Sequence, residues 1–509
     1  MGSQLSLDGK PFYFIGTNAY WLIDENIDRQ KVDILMNGAK GLGLKVVRTW
    51  AFNKRLPYDN GHHGLAYDET QFQILDYIVQ SARNHGIKLI LALGNLWPAY
   101  IGPEEYVKIA TGSAGGKTVA DFYSDSATRA LYASHISTIT ARVNSYSKIA
   151  YRDDSTIMMW DIMNEPRCPG CTPAQLSVHK GWLYAMASHT KSSAPRQLVS
   201  PASEGYFMHS NVQSNPGGGS SCEGEDFDTV SGASPVDVAS AHIYWRQTEG
   251  VPGKPGTPWT HFTFERYMQW FSMYLGLHLG TGKPLVIEEF NVQVGVQTES
   301  QRNVLFQWLT DKLIASKREG GPLAGIMFWE GAVAGIQDFG YNIYMRRLQG
   351  FEEAATFTPA PVNLLTETHA PDKNQSSAHN TRFTPPVFDA MSGPLLDSDD
   401  SSQPWSGADE AKTGSDLESH VNHESSSHIH HDSSLQQHSR KLADVPIGSP
   451  PEELDPFRRF KERKACADSL SAGWNPIHPP QTVDVAAYMR RVAGKGVLDI
   501  IRGAAQALG

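Results

Sequence analysis

The chain has 509 residues, more than a single core usually holds, with 40% hydrophobic residues and a formal charge of −10 at pH 7. That acidity, and the lack of a basic stripe interleaved with aromatics, argue against a nucleic-acid partner. No apolar run is long enough for a transmembrane helix, and Met1-Gly2-Ser3-Gln4-Leu5 lacks a basic region leading into an apolar core, so neither a membrane partner nor a visible signal peptide is expected.

Short apolar runs alternate with helical patterns from residue 10 to about residue 335. Strands are expected at 12–16, 45–50, 87–92, 157–162, 198–200, 238–242, 285–289 and 326–329. Between them, Phe72, Leu75, Ile78, Val79 and Ala82 fall at helical spacing. Leu131, Ile136, Ile139 and Val143 do so more loosely, and Val304, Trp308 and Leu309 suggest a further helix before the last strand. Eight β-then-α units predict a (β/α)₈ TIM barrel. A doubly wound sheet is the alternative, but no glycine-rich phosphate loop follows the first strand.

The strand ends carry the chemistry. Met158-Met159-Trp160-Asp161-Ile162-Met163 runs into Asn164-Glu165-Pro166, and Pro284-Leu285-Val286-Ile287 runs into Glu288-Glu289-Phe290. Each places a carboxylate at the open end of a buried strand, where barrel enzymes hold their reacting groups. Two such acids suggest the acid and nucleophile of glycoside hydrolysis, Glu165 and Glu289. Arg48, within Val47-Arg48-Thr49-Trp50, is placed to keep a neighbouring carboxylate charged. Asn164, beside Glu165, is placed to hold a substrate hydroxyl or orient the acid, and Trp160, His242, Tyr244 and Trp329 lie on or just past predicted strands. Each also has a plainer reading: Glu165 as a helix N-terminal acid, Glu288 or Glu289 as an ion-pair partner of Arg48, His242 as a satisfied core histidine. Trp21, Trp50, Trp97, Tyr100, Trp245 and Trp329 also cluster at predicted strand ends, and such rings stack on the C–H faces of sugars. A groove lined in that way suits a polymer better than a small solute.

The four cysteines are Cys168, Cys171, Cys222 and Cys466. Cys168-Pro-Gly-Cys171 lacks the further ligands a zinc site needs and does not open a thioredoxin-like unit. A local disulfide bracing the loop after the fourth strand is preferred, with free thiols as the alternative. Three segments follow from composition: a catalytic barrel over 1–350, a low-complexity and largely disordered linker over 351–480, and a short helical segment over 481–509. Residues 393–440 are rich in Ser, Asp, His and Gly, and their tract His420, His423, His428, His430, His431 and His438 reads as solvated linker rather than a metal site. The terminal segment, with Thr482 as a candidate N-cap, is free to dock on the barrel, bind a partner or stay loose.

Gly16-Thr17-Asn18-Ala19-Tyr20-Trp21, Arg48-Thr49-Trp50-Ala51-Phe52, Asn164-Glu165-Pro166-Arg167-Cys168, the run 240–244 and Glu289-Phe290 resemble glycoside hydrolase family 5. More narrowly they are similar to its endo-β-1,4-mannanases of fungal and plant type, over roughly residues 5–345. The resemblance implies a retaining, secreted enzyme that needs no metal or cofactor and cleaves β-mannan polysaccharides as a monomer. It implies Glu165 as acid/base, Glu289 as nucleophile, Arg48, Asn164, His242 and Tyr244 around the nucleophile, and Trp329 as floor with Trp50 nearby. It also implies a disulfide between Cys168 and Cys171. Two positions depart from the pattern: Asn291 stands where glycine commonly follows Glu-Phe, and Gly94-Asn95-Leu96-Trp97-Pro98 replaces the usual loop after strand three. A β-1,4-glucanase on the same barrel and a non-hydrolytic carbohydrate-binding protein are the alternatives.

Overall fold

The computed structural model describes residues 4–216, 222–244, 263–345 and 483–509. The expected linker over 351–480, Thr482 and Trp245 lie outside the described residues. Among the described residues no helix is long and apolar enough to cross a membrane.

Eight parallel strands form the centre: β1 (Phe14–Asn18), β2 (Val46–Trp50), β3 (Lys88–Ala92), β4 (Ile157–Asp161), β5 (Leu198–Ser200), β6 (Ala239–Tyr244), β7 (Leu285–Asn291) and β8 (Leu323–Phe328). They pair in the order β6-β7-β8-β1-β2-β3-β4-β5. The remaining seam is bridged where the Asp237 N–H donates to the Val199 carbonyl at 2.9 Å. The outer layer comprises α1 (Arg29–Leu42), α2 (Glu69–His85), α3 (Ser126–Ala141), α4 (Pro173–Ser193), α5 (Phe227–Gly232), α6 (Phe264–His278), α7 (Glu299–Glu319) and α8 (Val497–Leu508). This is the (β/α)₈ barrel read from the sequence. Aspartates open α1, α2 and α3, where Asp28, Asp68 and Asp125 accept backbone N–H groups that have no partner within the helix.

Two apolar layers hold the barrel. The larger lies between the strands and the helix ring. The smaller fills the lower interior with Phe14, Val46, Ile90, Met159, Val286, Ala324 and Met327. Packing there is close: the Phe14 ring lies against Gly325, where an added Cβ would fall 2.3 Å from its Cζ.

The C-terminal helix supplies what the ring otherwise lacks. It packs against α7, α1 and β1, and so takes the eighth helical place. It runs alongside α7 in the same direction. Asn303 near the start of α7 donates to the Lys495 carbonyl at 2.9 Å, and Lys317 near its end donates to the Leu508 carbonyl at 2.5 Å. Of the three fates open to this segment in the sequence, docking is the one observed. Its buried face includes Ile500, Ile501, Ala504, Ala505 and Leu508.

Burying Ile500, Ile501 and Leu508 contributes roughly 5–9 kcal/mol at the usual value per large apolar side chain. That is comparable with the whole stability of an ordinary domain. A chain ending at residue 482 is therefore expected to lose its cooperative thermal transition in circular dichroism. An unchanged transition would show that the docking contributes nothing.

Candidate active site

Inward-facing positions turn from apolar to polar within two residues. Above Val46, Met159 and Val286 in the lower core stand Arg48, Asp161 and Glu288, each two residues further along its strand and fully buried. Asn18 ends β1 at the same mouth.

Arg48 is the hub. Its Nε donates to Asp161 Oδ2 at 2.6 Å, Nη1 to Glu289 Oε1 at 2.8 Å and to Asn18 Oδ1 at 3.1 Å, and Nη2 to Asn164 Oδ1 at 2.8 Å. The guanidinium carbon also sits 4.9 Å from the Trp50 ring centre. Burial lowers the proton affinity of Arg48, but Asp161, Glu288 and Glu289 together outweigh it and raise it.

A break in register brings the acids together. Between β6 and β7, Ala241 pairs with Ile287 and His242 with Glu289, so Glu288 is an extra residue in the ladder. The pairing with β8 is also irregular between Ile287 and Phe290. Simple alternation would turn Glu288 and Glu289 to opposite faces. Here both reach the same cluster: Glu288 lies 3.4 Å from His242 Nε2, and Glu289 lies on Arg48.

Glu165 follows β4 in the left-handed region, at φ 52°, an uncommon place for a residue with a side chain. Its Oε1 accepts from His242 Nδ1 at 2.8 Å and its Oε2 from Trp97 Nε1 at 2.5 Å. Glu289 Oε1 stands 3.5 Å from the same His242 nitrogen, and the Tyr244 hydroxyl donates to Glu289 Oε2 at 2.5 Å. One carboxylate oxygen of Glu165, one of Glu289 and one nitrogen of His242 all lie within 4.8 Å of one another.

Electrostatics follow from burial and this crowding. Burial works to strip the proton from His242, but the charge of Glu289 and the bonds to Glu165 and Glu288 push it up to about 10. That shift favours the cationic form of His242 at neutral pH. Asp161 is pushed up to about 7 by burial and by Glu288, against the pull of Arg48. Burial also raises Glu289, with His242 and Arg48 opposing. Arg48 moderates the burial of Glu289 without overcoming it, a smaller effect than the sequence suggested. Among the described residues, Glu165, His242 and Glu289 form the group with metal-ligand spacing.

Aromatic rings form the floor. Tyr20 stacks on Trp329 with centroids 5.1 Å apart and planes within 5°. Trp50 lies 6.2 Å from Trp329. Asn291 belongs to β7 and makes no left-handed turn; its amide donates to the Trp329 carbonyl and, at 2.9 Å, to that of Tyr341. The departure from glycine thus pins the tryptophan backbone. Behind this floor, Glu330 is 1% exposed, and its Oε2 has no hydrogen-bond partner.

All eight sequence-predicted site residues meet here: Glu165, Glu289, Arg48, Trp50, Asn164, His242, Tyr244 and Trp329. Trp97 joins them through Glu165, but three other candidates do not. Trp160 is fully buried and points away from the mouth, bonding Gln197 at 2.6 Å, as alternation on β4 from the inward Asp161 requires. Trp21 is 1% exposed and bonds the Gly331 carbonyl at 2.9 Å, so it serves packing rather than a groove. Tyr100 gives its hydroxyl to Asp24. Asn18, Asp161, Glu288 and Tyr20 were missed as members; Asp161 and Glu288 sat in plain view, two residues beyond inward apolar positions. The loop after Glu165 is closed by a disulfide between Cys168 and Cys171, with Cα atoms 5.5 Å apart.

The family model described as glycoside hydrolase family 5, β-mannosidase-like, matches residues 1–339. The chain is 33% identical to mannan endo-1,4-β-mannosidase 7 of Arabidopsis thaliana over 367 residues, covering 68% of this chain and 80% of that protein. It is also 33% identical to a putative mannan endo-1,4-β-mannosidase 5 of Oryza sativa subsp. japonica, covering 67% and 71%. Among solved structures it resembles the endo-1,4-β-mannanase of Rhizomucor miehei, with TM-score 0.57 and 28% identity over 68% of this chain and 93% of that one.

Glu330 yields a prediction independent of activity. Burial first, then the charges of Asp338, Glu289 and Asp24, raise it well above its ordinary 4.5. The folded chain therefore holds a proton that the unfolded chain releases above that value, and stability is lost as pH rises from there. Glu330→Gln removes the cost. It is expected to raise the melting temperature at pH 7–8, with the gain fading as pH falls through 4.5. A gain of equal size at pH 4 and pH 8 would contradict the assignment.

Proposed function

The chain belongs to glycoside hydrolase family 5, and from that premise we propose that it is an endo-acting, retaining hydrolase of internal β-1,4-mannosidic bonds in mannans, galactomannans and glucomannans. The observation that carries this reading is the short gap between the Glu165 and Glu289 oxygens, within 4.8 Å on opposite walls of the barrel. Retaining pairs stand about 5–5.5 Å apart, whereas inverting pairs leave roughly 6.5–9.5 Å for a water.

Glu289 attacks the anomeric carbon and forms a glycosyl ester, while Glu165 gives its proton to the departing oxygen. Glu165 then takes a proton from water, which attacks the same carbon and releases the sugar with its original configuration. Arg48 and Tyr244 orient the attacking carboxylate and support its charged form through the bonds at 2.8 and 2.5 Å. His242, bonded to Glu165, holds that acid facing the gap. Trp329, stacked on Tyr20 and flanked by Trp50, offers a flat apolar surface to a sugar ring. The disulfide between Cys168 and Cys171 favours an oxidising, extracellular setting.

Glu165→Gln and Glu289→Gln are each expected to lower reducing-sugar release from galactomannan by about 10³-fold or more, since each removes an obligatory group. Both variants should still melt in one cooperative transition, with Glu289→Gln the less stable because it takes a carboxylate from Arg48. Normal cleavage by either variant sinks the assignment. Faster release from cellulose than from galactomannan and glucomannan would replace mannan with glucan as the substrate.

A further inference from the structure

The loop after β3 carries a contact that the double-displacement scheme does not use: the indole N–H of Trp97 on Glu165 Oε2, at 2.5 Å. It arises from a built arrangement. The ladder between β3 and β4 continues past the strand ends, where Asn95 and Asn164 form a parallel bridge. The Asn164 N–H donates to the Gly94 carbonyl at 2.8 Å, and the Leu96 N–H to the Asn164 carbonyl at 3.1 Å. The Asn164 amide adds a bond to Asn95 Oδ1 at 3.0 Å. Trp97 and Glu165 are the next residues on the two sides, so they leave the ladder next to each other. From the far side, the Arg167 guanidinium lies 5.3 Å from the Trp97 ring centre and is itself anchored on Glu204 at 2.5 Å. The indole is thus held by backbone pairing and a cation–π contact, with its donor aimed at one carboxyl oxygen while His242 engages the other.

We propose that Trp97 is a positioning residue for proton transfer at Glu165: its N–H fixes Oε2 and favours the ionised carboxylate. The inference rests on the reading of Glu165 as acid/base. A donor to a carboxylate stabilises the charged form over the protonated one. Bond formation to Glu289 needs the proton on Glu165, and breakdown of the ester needs it off. Trp97 therefore assists the second half of the cycle and limits the first at high pH.

The test is the pH dependence of kcat/KM, whose alkaline limb reports loss of the essential proton from the free enzyme. For Trp97→Phe acting on mannooligosaccharides, that limb is expected to move up by about one pH unit, the scale of one charge-assisted hydrogen bond. The melting temperature should be unchanged. On a 2,4-dinitrophenyl β-mannoside, whose leaving group needs no proton, the variant's profile should match the parent's. Trp97→His, which keeps a ring N–H, should return the limb toward the parent position. Should Trp97→Phe fail to fold, Trp97→Leu is read in the same way. A limb that stays at the parent pH overturns the proposal, as do equal changes on both substrates. A parent enzyme inactive on both substrates instead overturns the hydrolase reading, and this proposal with it.

Discussion

The buried guanidinium of Arg48 is the constraint on which the mouth of the barrel depends. It is wholly enclosed and spreads its donors over Asp161, Glu289, Asn18 and Asn164. An isolated charge in such a place would be prohibitively costly, and so would the acids without it. Losing one member of a buried pair of this kind costs on the order of 3–5 kcal/mol. Two cations, Arg48 and protonated His242, face Asp161, Glu288, Glu289 and Glu165. Negative charge is in excess, and Asp161 and Glu289 hold protons more tightly than they would in water. The site is thus poised between charge states, a useful condition for chemistry that hands a proton out and takes one back.

Backbone irregularity allows this density of acid. A regular β7 would expose one of two consecutive glutamates to the helix layer. The register shift opposite His242 leaves Glu288 unpaired in the ladder and lets both residues share the cluster. Glu165 reaches the same cluster from a left-handed backbone, braced by its N–H bond to the Ala202 carbonyl at 3.0 Å. The rigid strands set the approximate positions of the acids, and these departures set the final ones.

Much of this was legible in the linear chain. All eight strands lie where alternating apolar runs placed them, because each run is long enough to be buried on both sides. Boundaries moved by about two residues where polar groups end a strand: β1 reaches Asn18 and β7 reaches Asn291, since the barrel mouth can pair and bury them. Glu165 and Glu289 were visible because a carboxylate ending an apolar strand is costly without a purpose. Trp160 and Trp21 misled, because residue type does not say which face of an element a ring occupies. Glu288 was taken only as a structural partner, since alternation forbids the pair that the bulge permits. The place of α8 was beyond local reading: its apolar face is plain, but its partners on α7 and α1 are remote in sequence.

The last of these has a consequence for how the protein is made. The strand-end acids are all synthesised by residue 289, yet the helix that closes the ring is encoded only at Val497–Leu508. A ribosome must translate through residues 346–482 before that seam can be sealed. During this interval the nascent polypeptide carries a complete set of reacting groups on an unfinished wall, with the apolar flanks of α7 and α1 bare. Exposed surface of that kind is what chaperones bind, so the order of the gene makes the timing of wall closure, rather than assembly of the acids, the vulnerable stage in biogenesis.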